Sequence, residues 1–178
     1  MGQVVILSPG QTALLVIDVQ RALFTRPTPV YEPYKLIENI NALVARAHLY
    51  GVQVIYLQHV NDSFLKKGSS GWDFHPDLDR LGSDLIIQKF QGNALVESEL
   101  QSILEAKGIK NLIITGLVTQ GCVRATSLGG LERNFRVVLV QGGHSNYNKD
   151  APRVIEQREK ELQDAGVVLV SRDEIDFN

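Results

Sequence analysis

The sequence predicts an α/β protein with a mainly parallel sheet, a single domain over residues 1–178, and three observations carry that reading. Short apolar runs alternate with longer segments of helical period, as strands joined by crossover helices do. The first run, Ala13-Leu14-Leu15-Val16-Ile17, is continuous rather than alternating, as in strands buried on both faces. No linker, low-complexity tract or repeat divides the 178 residues, which amount to one ordinary domain.

Taken in order, residues 13–19 read as the first strand. Leu36, Ile37, Ile40, Leu43, Val44 and Ala47 then recur at helical spacing, with Gly51 suited to the position past the helix end. Residues 52–60 form the second strand and 84–89 the third. Between them, residues 61–82 make a long loop around Trp72 and Phe74, which is either functional or hides a short helix. Ser98 and Gln101 fit a capping box for a helix ending at Lys107, with Gly108 beyond it. Residues 111–115 are the fourth strand, followed by a helix from about Cys122 to Asn134, and residues 136–140 are the fifth. Asp150 and Pro152 open a helix that Gly166 closes, and residues 167–171 are the sixth strand. The result is a doubly wound sandwich of helices, sheet and helices.

Composition narrows the function classes. Eighteen basic against twenty acidic residues leave a net charge of −2, so no broad electrostatic footprint for nucleic acid or anionic membrane is present. Hydrophobic residues at 44% suffice for a sizeable core, and no apolar run is long enough to span a bilayer. The single cysteine, Cys122, rules out an internal disulfide and a multi-cysteine zinc site. Without a secretory signal pattern, the expectation is a soluble cytoplasmic domain.

In a doubly wound sheet, ligands bind beyond the carboxyl ends of the strands. Three reactive residues fall there: Asp18 at the end of the first strand, Lys89 closing the third, and Cys122 after the fourth. A lone cysteine is most often a small buried hydrophobe. Here the segment Gly116-Leu117-Val118-Thr119-Gln120-Gly121-Cys122-Val123 leaves a strand and enters a helix. Backbone N–H groups in a first helical turn stabilise a thiolate and can donate to an oxyanion. Asp18, in an otherwise apolar strand end, either caps a loop or serves as a base with a burial-raised pKa. Lys89 either snorkels to water or, beside a cysteine, lowers the thiol pKa and holds the carboxylate. The three together suffice for nucleophilic acyl transfer.

These residues resemble the isochorismatase-like cysteine hydrolase superfamily, which includes nicotinamidases and N-carbamoylsarcosine amidases, over about Thr12 to Ser171. Ala13-Leu14-Leu15-Val16-Ile17-Asp18-Val19-Gln20 is similar to the family's first strand and catalytic aspartate, Lys89 falls where its lysine stands, and residues 116–123 resemble its nucleophile segment. The resemblance implies a three-layer α/β/α sandwich with strand order 3-2-1-4-5-6. It implies Asp18, Lys89 and Cys122 as the catalytic set and the backbone N–H groups of Val118 and Cys122 as the oxyanion hole. It also implies a cis peptide at Leu117–Val118 and a homo-oligomer. The family's substrate cavity implies lining roles for Gln20, Phe24, Trp72, Thr119 and Gly121. Gly121 stands where many relatives carry a tyrosine and so leaves room beside the thiol.

Metal-dependent nicotinamidases carry an Asp-x-His pair after the second strand, whereas this chain reads Gln58-His59-Val60-Asn61-Asp62. No metal or other cofactor is therefore expected. His59 and His75 read as hydrogen-bonding loop residues, and His144 as an exposed loop histidine. The expected activity is hydrolysis of a small amide, lactam or carbamoyl-type C–N bond through a cysteine thioester. Two alternatives stay open: vinyl ether hydrolysis, which does not need the cysteine, and a catalytically silent oligomeric scaffold.

Overall fold

The computed structural model describes residues 4–178. A short β1 (Val5–Leu7) precedes β2 (Thr12–Ile17), the single-turn α1 (Arg21–Phe24), α2 (Pro33–Tyr50) and β3 (Gln53–His59). Then come β4 (Leu85–Lys89), α3 (Leu100–Ala106), β5 (Asn111–Leu117), α4 (Arg124–Glu132), β6 (Arg136–Ser145), α5 (Ala151–Ala165), β7 (Val168–Ser171) and β8 (Ile175–Phe177). Six strands form one sheet in the order β4-β3-β2-β5-β6-β7, every neighbour parallel. Counted from β2, this is the expected order 3-2-1-4-5-6.

The alternation of side chains along β2 divides the core. Leu14 and Val16 pack with Leu36, Ile40 and Leu43 of α2 on one face. Ala13, Leu15 and Ile17 pack with Leu100 and Leu104 of α3, Leu128 of α4 and Leu162 of α5 on the other. Burying each such Leu, Ile or Val is worth roughly 1.5–3 kcal/mol, so a one-residue slip of β2 would lose both faces at once. Helix α2 carries Pro33 in its first turn and ends at Gly51, whose φ of 72° lets its N–H return to Ala47 O.

Three details depart from the sequence reading. First, β1 and β8 pair parallel in a separate two-stranded ribbon. Their alternation covers only three residues each, with Ile6 and Asp176 exposed between buried neighbours, too short a stretch to read as a period. Second, no capping box opens α3: Ser98 Oγ accepts from Leu100 N at 3.2 Å, while the Gln101 side chain turns to Glu105 at 2.9 Å. Third, β6 runs on to Ser145, because Ile114 pairs with Leu139 but Gly116 with His144, and residues 140–143 bulge between them. Residues 61–82 contain turns and no helix, so the expected long loop hides no short helix; an antiparallel bridge between Gln20 and Phe74 ties it down.

Candidate active site

Register brings the reactive groups to one end of the sheet. Asp18 is the first residue past β2, and its φ of 52° is a left-handed conformation that aspartate tolerates better than most residues. Its N–H donates to Leu57 O at 3.0 Å, which fixes it at the β2–β3 seam. Lys89 ends β4 directly opposite His59, which ends β3. On the other side, Gly116 of β5 pairs with Ile17. A Cβ on Gly116 would sit 2.1 Å from Ile17 O, so only glycine allows this approach. The Leu117–Val118 peptide that follows is cis. Residues 119–123 then form a π-type turn broken by a kink at Gly121, and Cys122 follows the kink just ahead of α4.

The ammonium of Lys89 is the hub. It lies 3.0 Å from Asp18 Oδ2, 3.0 Å from His59 Nδ1, 3.0 Å from Gln91 O and 3.2 Å from Cys122 Sγ. Lys89 is fully buried and Asp18 nearly so. Asp18 Oδ1 is buried with no hydrogen-bond partner. Because the ammonium donates, His59 Nδ1 accepts, which leaves the ring proton on Nε2. His59 is the member that sequence reading missed as part of the cluster. The signal was its pairing with Lys89, a matter of strand register that a single chain does not display.

Burial decides the protonation states. It pushes Asp18 above the ordinary carboxylate value, and the neighbouring Lys89 charge only partly offsets that rise. It lowers His59, with Lys89 adding to the effect, so the imidazole is neutral at pH 7. Burial and the Asp18 charge push the Cys122 thiol up to about 12, against the lowering effect of Lys89. The expectation of a thiolate stabilised by helix N–H groups and lysine is thereby corrected. A desolvated sulfur beside a carboxylate keeps its proton.

A cavity of about 140 Å³ opens onto this cluster, with Asp18, His59 and Cys122 in its wall and Leu23, Phe64, Leu65, Val118 and Tyr147 around them. That is well below the ~300–1,000 Å³ of pockets that enclose drug-sized ligands. The five residues expected to line it stand elsewhere. Gln20 is fully buried and acts as a clamp: its Nε2 donates to His59 O at 3.0 Å and Trp72 O at 2.8 Å, and its Oε1 accepts from His59 N at 2.9 Å. Phe24 stacks on His75 and lines a separate cavity with Val30 and Tyr34. Trp72 packs against the core beneath the long loop and faces a different groove. Thr119 is buried and bonds His144 Nδ1 at 2.9 Å. A Cβ on Gly121 would meet Val118 Cγ2 at 3.0 Å, so its missing side chain eases packing within the turn. His144 itself is buried on β6, beside Glu159 at 3.3 Å, and is not an exposed loop residue.

The fold recurs among known proteins. The family model described as the isochorismatase domain matches residues 12–172. This chain belongs to the isochorismatase family. Streptothricin hydrolase of Streptomyces noursei is 29% identical over 138 residues, 76% of this chain and 50% of that protein. Ureidoacrylate amidohydrolase RutB of Acinetobacter baylyi is 29% identical over 162 residues, 70% of this chain and 66% of that protein. The chain thus spans half to two thirds of the length of these relatives. The structure of Pyrococcus horikoshii pyrazinamidase, solved in complex with zinc, superposes with a TM-score of 0.82 at 23% identity, over 90% of this chain and 99% of that one. An isochorismatase from Pseudomonas putida gives 0.87 at 19% identity, over 96% of this chain and 92% of that one. Both likenesses bear on the fold.

The zinc bound by that pyrazinamidase raises the question of a metal in this isochorismatase-family chain. Asp18, His59 and Cys122 place donor atoms within 4.8 Å of one another. The Lys89 ammonium, however, already touches all three, and a dication in the same space would be repelled by it. Asn61 spends its side-chain oxygen on Ser63 N and Leu65 N, bracing the turn after β3. These residues do not fit a metal centre. Among the described residues, no helix is long and apolar enough to cross a membrane.

Proposed function

We propose that this chain is a cysteine hydrolase that cleaves a small amide, lactam or carbamoyl-type C–N bond through a thioester on Cys122. The observation that carries the reading is the buried Lys89 ammonium in contact with both Asp18 and Cys122 at the wall of a small cavity. A full set of nucleophile, proton acceptor and fixed cation is costly to bury and is retained where chemistry uses it. One curated relative is an amidohydrolase, which supports an amide-type bond.

Asp18 accepts the thiol proton as Sγ attacks the acyl carbon; its unpartnered Oδ1 is the free acceptor for that proton. A carboxylate raised by burial is a stronger base for this transfer than an ordinary one. Lys89 holds the carboxylate in place. The backbone N–H groups of Val118 and Cys122 receive the oxyanion of the tetrahedral intermediate. Protonated Asp18 then donates to the departing nitrogen, the C–N bond breaks, and the amine leaves. Water attacks the thioester and gives a proton to Asp18; the C–S bond then breaks, the acid departs, and Asp18 returns that proton to the sulfur to restore the thiol.

The test is a rapid-quench intact-mass experiment with a panel of small primary amides, lactams and carbamoyl compounds, run beside an assay of released ammonia or amine. An acyl adduct on Cys122 and its absence in Cys122→Ala are expected. Turnover that persists in Cys122→Ala overturns the thioester route. The family resemblance also supports self-association, which sedimentation velocity reads directly.

A further inference from the structure

The reaction proposed at Cys122 makes no use of His144, whose surroundings form a second cavity. That cavity, of about 300 Å³, lies between the start of α2 and the first turns of α5, over the bulge of β6. It shares no wall residue with the Cys122 cavity. The bulge is fixed from α2, where Asn39 Nδ2 donates to Gly142 O at 2.8 Å. The His144 side chain is fully buried in the cavity wall. Its Nδ1 lies 2.9 Å from Thr119 Oγ1, but its Nε2 has no hydrogen-bond partner. Glu159 Oε1 stands 3.3 Å from Nε2 without the alignment of a hydrogen bond. A buried ring nitrogen in that state is costly to leave unpaired.

The rest of the wall sets the sign of the ligand. Glu32 and Lys35 pair with each other at the rim, at 3.3 Å, and cancel. Glu156 at the mouth and Glu159 inside remain, and among the described residues neither has a lysine or arginine within ion-pair distance. The two helix starts add about half a positive charge each, which two full carboxylates outweigh. Leu36 and Ile155 supply apolar surface beside them.

We propose that this cavity is a second binding site, for a primary organic ammonium with a small apolar body. The ammonium lies between His144 Nε2 and Glu159 Oε1, two acceptors 3.3 Å apart that one nitrogen reaches with separate N–H groups. His144 then carries its proton on Nδ1 and donates it to Thr119 Oγ1. The apolar body lies along Leu36 and Ile155, and Glu156 adds its charge at the mouth. A guanidinium fork suits the coplanar oxygens of one carboxylate, whereas a compact ammonium suits a carboxylate and a ring nitrogen together. The site is independent of the reaction proposed at Cys122.

Isothermal titration calorimetry with benzylamine and benzyl alcohol near neutral pH tests this, the amine being charged and the alcohol its neutral counterpart. Benzylamine is expected to bind one site per chain, about tenfold or more tighter than the alcohol. Glu159→Gln is expected to remove that advantage, whereas Glu161→Gln, on the same helix but outside the cavity, keeps it. Equal affinities for the two probes overturn the proposal. An equal loss in both variants does so too, because it would mean diffuse attraction to an acidic surface. Nitrogen NMR of the histidine rings locates the ligand without any substitution in the cavity. On titration with benzylamine the His144 Nε2 resonance is expected to move while those of His59, in the wall of the Cys122 cavity, stay. A His59 shift with His144 unmoved would place the amine beside Cys122 and overturn the proposal.

Discussion

Lys89 and Asp18 meet at 3.0 Å with side-chain exposures of 0% and 3%, whereas Arg124 and Glu161, which join α4 to α5, meet at 2.8 Å with exposures of 37% and 32%. Arg158 reaches the same Glu161 from within α5. The two clusters use the same attraction at similar distances, and their surroundings set their consequences. Water screens the outer cluster and can replace either partner. In the inner cluster each charge depends on the other, because the isolated carboxylate or ammonium would carry a desolvation cost of several kcal/mol. That dependence gives the inner cluster its perturbed carboxyl and thiol, and leaves the outer one a local tie between two helices.

The largest effect that separates the two is loss of the nucleophile. Cys122→Ala is expected to lower turnover by about 10⁴-fold or more while the far-ultraviolet circular dichroism stays that of the wild type. Asp18→Asn follows and has two readouts of opposite sign. Turnover falls by roughly 10³-fold, as the proton acceptor is gone. The thiol pKa also falls from about 12, because the Asp18 charge raises it. Alkylation of Cys122 by iodoacetamide at pH 8 should therefore speed up in the variant that has lost its activity. Slower or unchanged alkylation would show that Asp18 does not hold the thiol proton. In the wild type, activity should decline as pH falls through the Asp18 pKa, which burial sets above the ordinary carboxylate value.

Lys89→Met tests the inner cluster as a structural element. Removing one partner of a buried pair costs roughly 3–5 kcal/mol when the other must stay charged. Asp18 can escape that cost by taking a proton. A carboxyl whose folded pKa is raised above its unfolded value contributes stability that is present at low pH and lost as pH rises through the folded pKa. The gap in Tm between wild type and Lys89→Met should then widen from pH 4 to pH 8. A gap independent of pH would mean that Asp18 does not depend on Lys89 for its charge.

The inner cluster was partly legible before the fold was known. Asp18 follows β2, Lys89 ends β4 and Cys122 follows β5, and the apolar runs of those strands are strong local signals. His59 and the cavity walls were not legible, for different reasons. His59 joins through the register between β3 and β4, and register depends on two distant segments at once. Phe64 and Leu65 lie in a loop whose path is set by side-chain bonds such as Asn61 to Leu65 N, with no period to read. Gln20 reaches the site only by clamping the His59 backbone, and Trp72 faces a different groove. A glutamine that bonds three backbone groups is indistinguishable, in sequence, from one that faces a ligand. The β6 bulge hid His144 in the same way, since Gly142 and Gly143 read as the end of a strand that in fact resumes.

Glu161→Gln brings the smallest expected effect and completes the contrast. Glu161 accepts from Arg124 and Arg158, and those two bonds hold its carboxyl below the ordinary glutamate value. Such a shift, taken alone, suggests a sizeable contribution to stability. One third of the side chain is open to water, however, and exposed pairs of this kind are worth at most ~1 kcal/mol once solvent screening and side-chain entropy are counted. The stabilising part of a lowered carboxyl pKa is present above the unfolded value and is lost as pH falls through the folded one, so the difference between wild type and variant should shrink below about pH 4. It should also shrink in salt, because a Debye length near 10 Å at 0.1 M contracts to about 3 Å at 1 M. Urea unfolding of both proteins at low and high sodium chloride measures this, with turnover as the control. A loss well above ~1 kcal/mol that survives salt would mean that α4 and α5 close over the charge in solution, so that the outer cluster is buried as the inner one is.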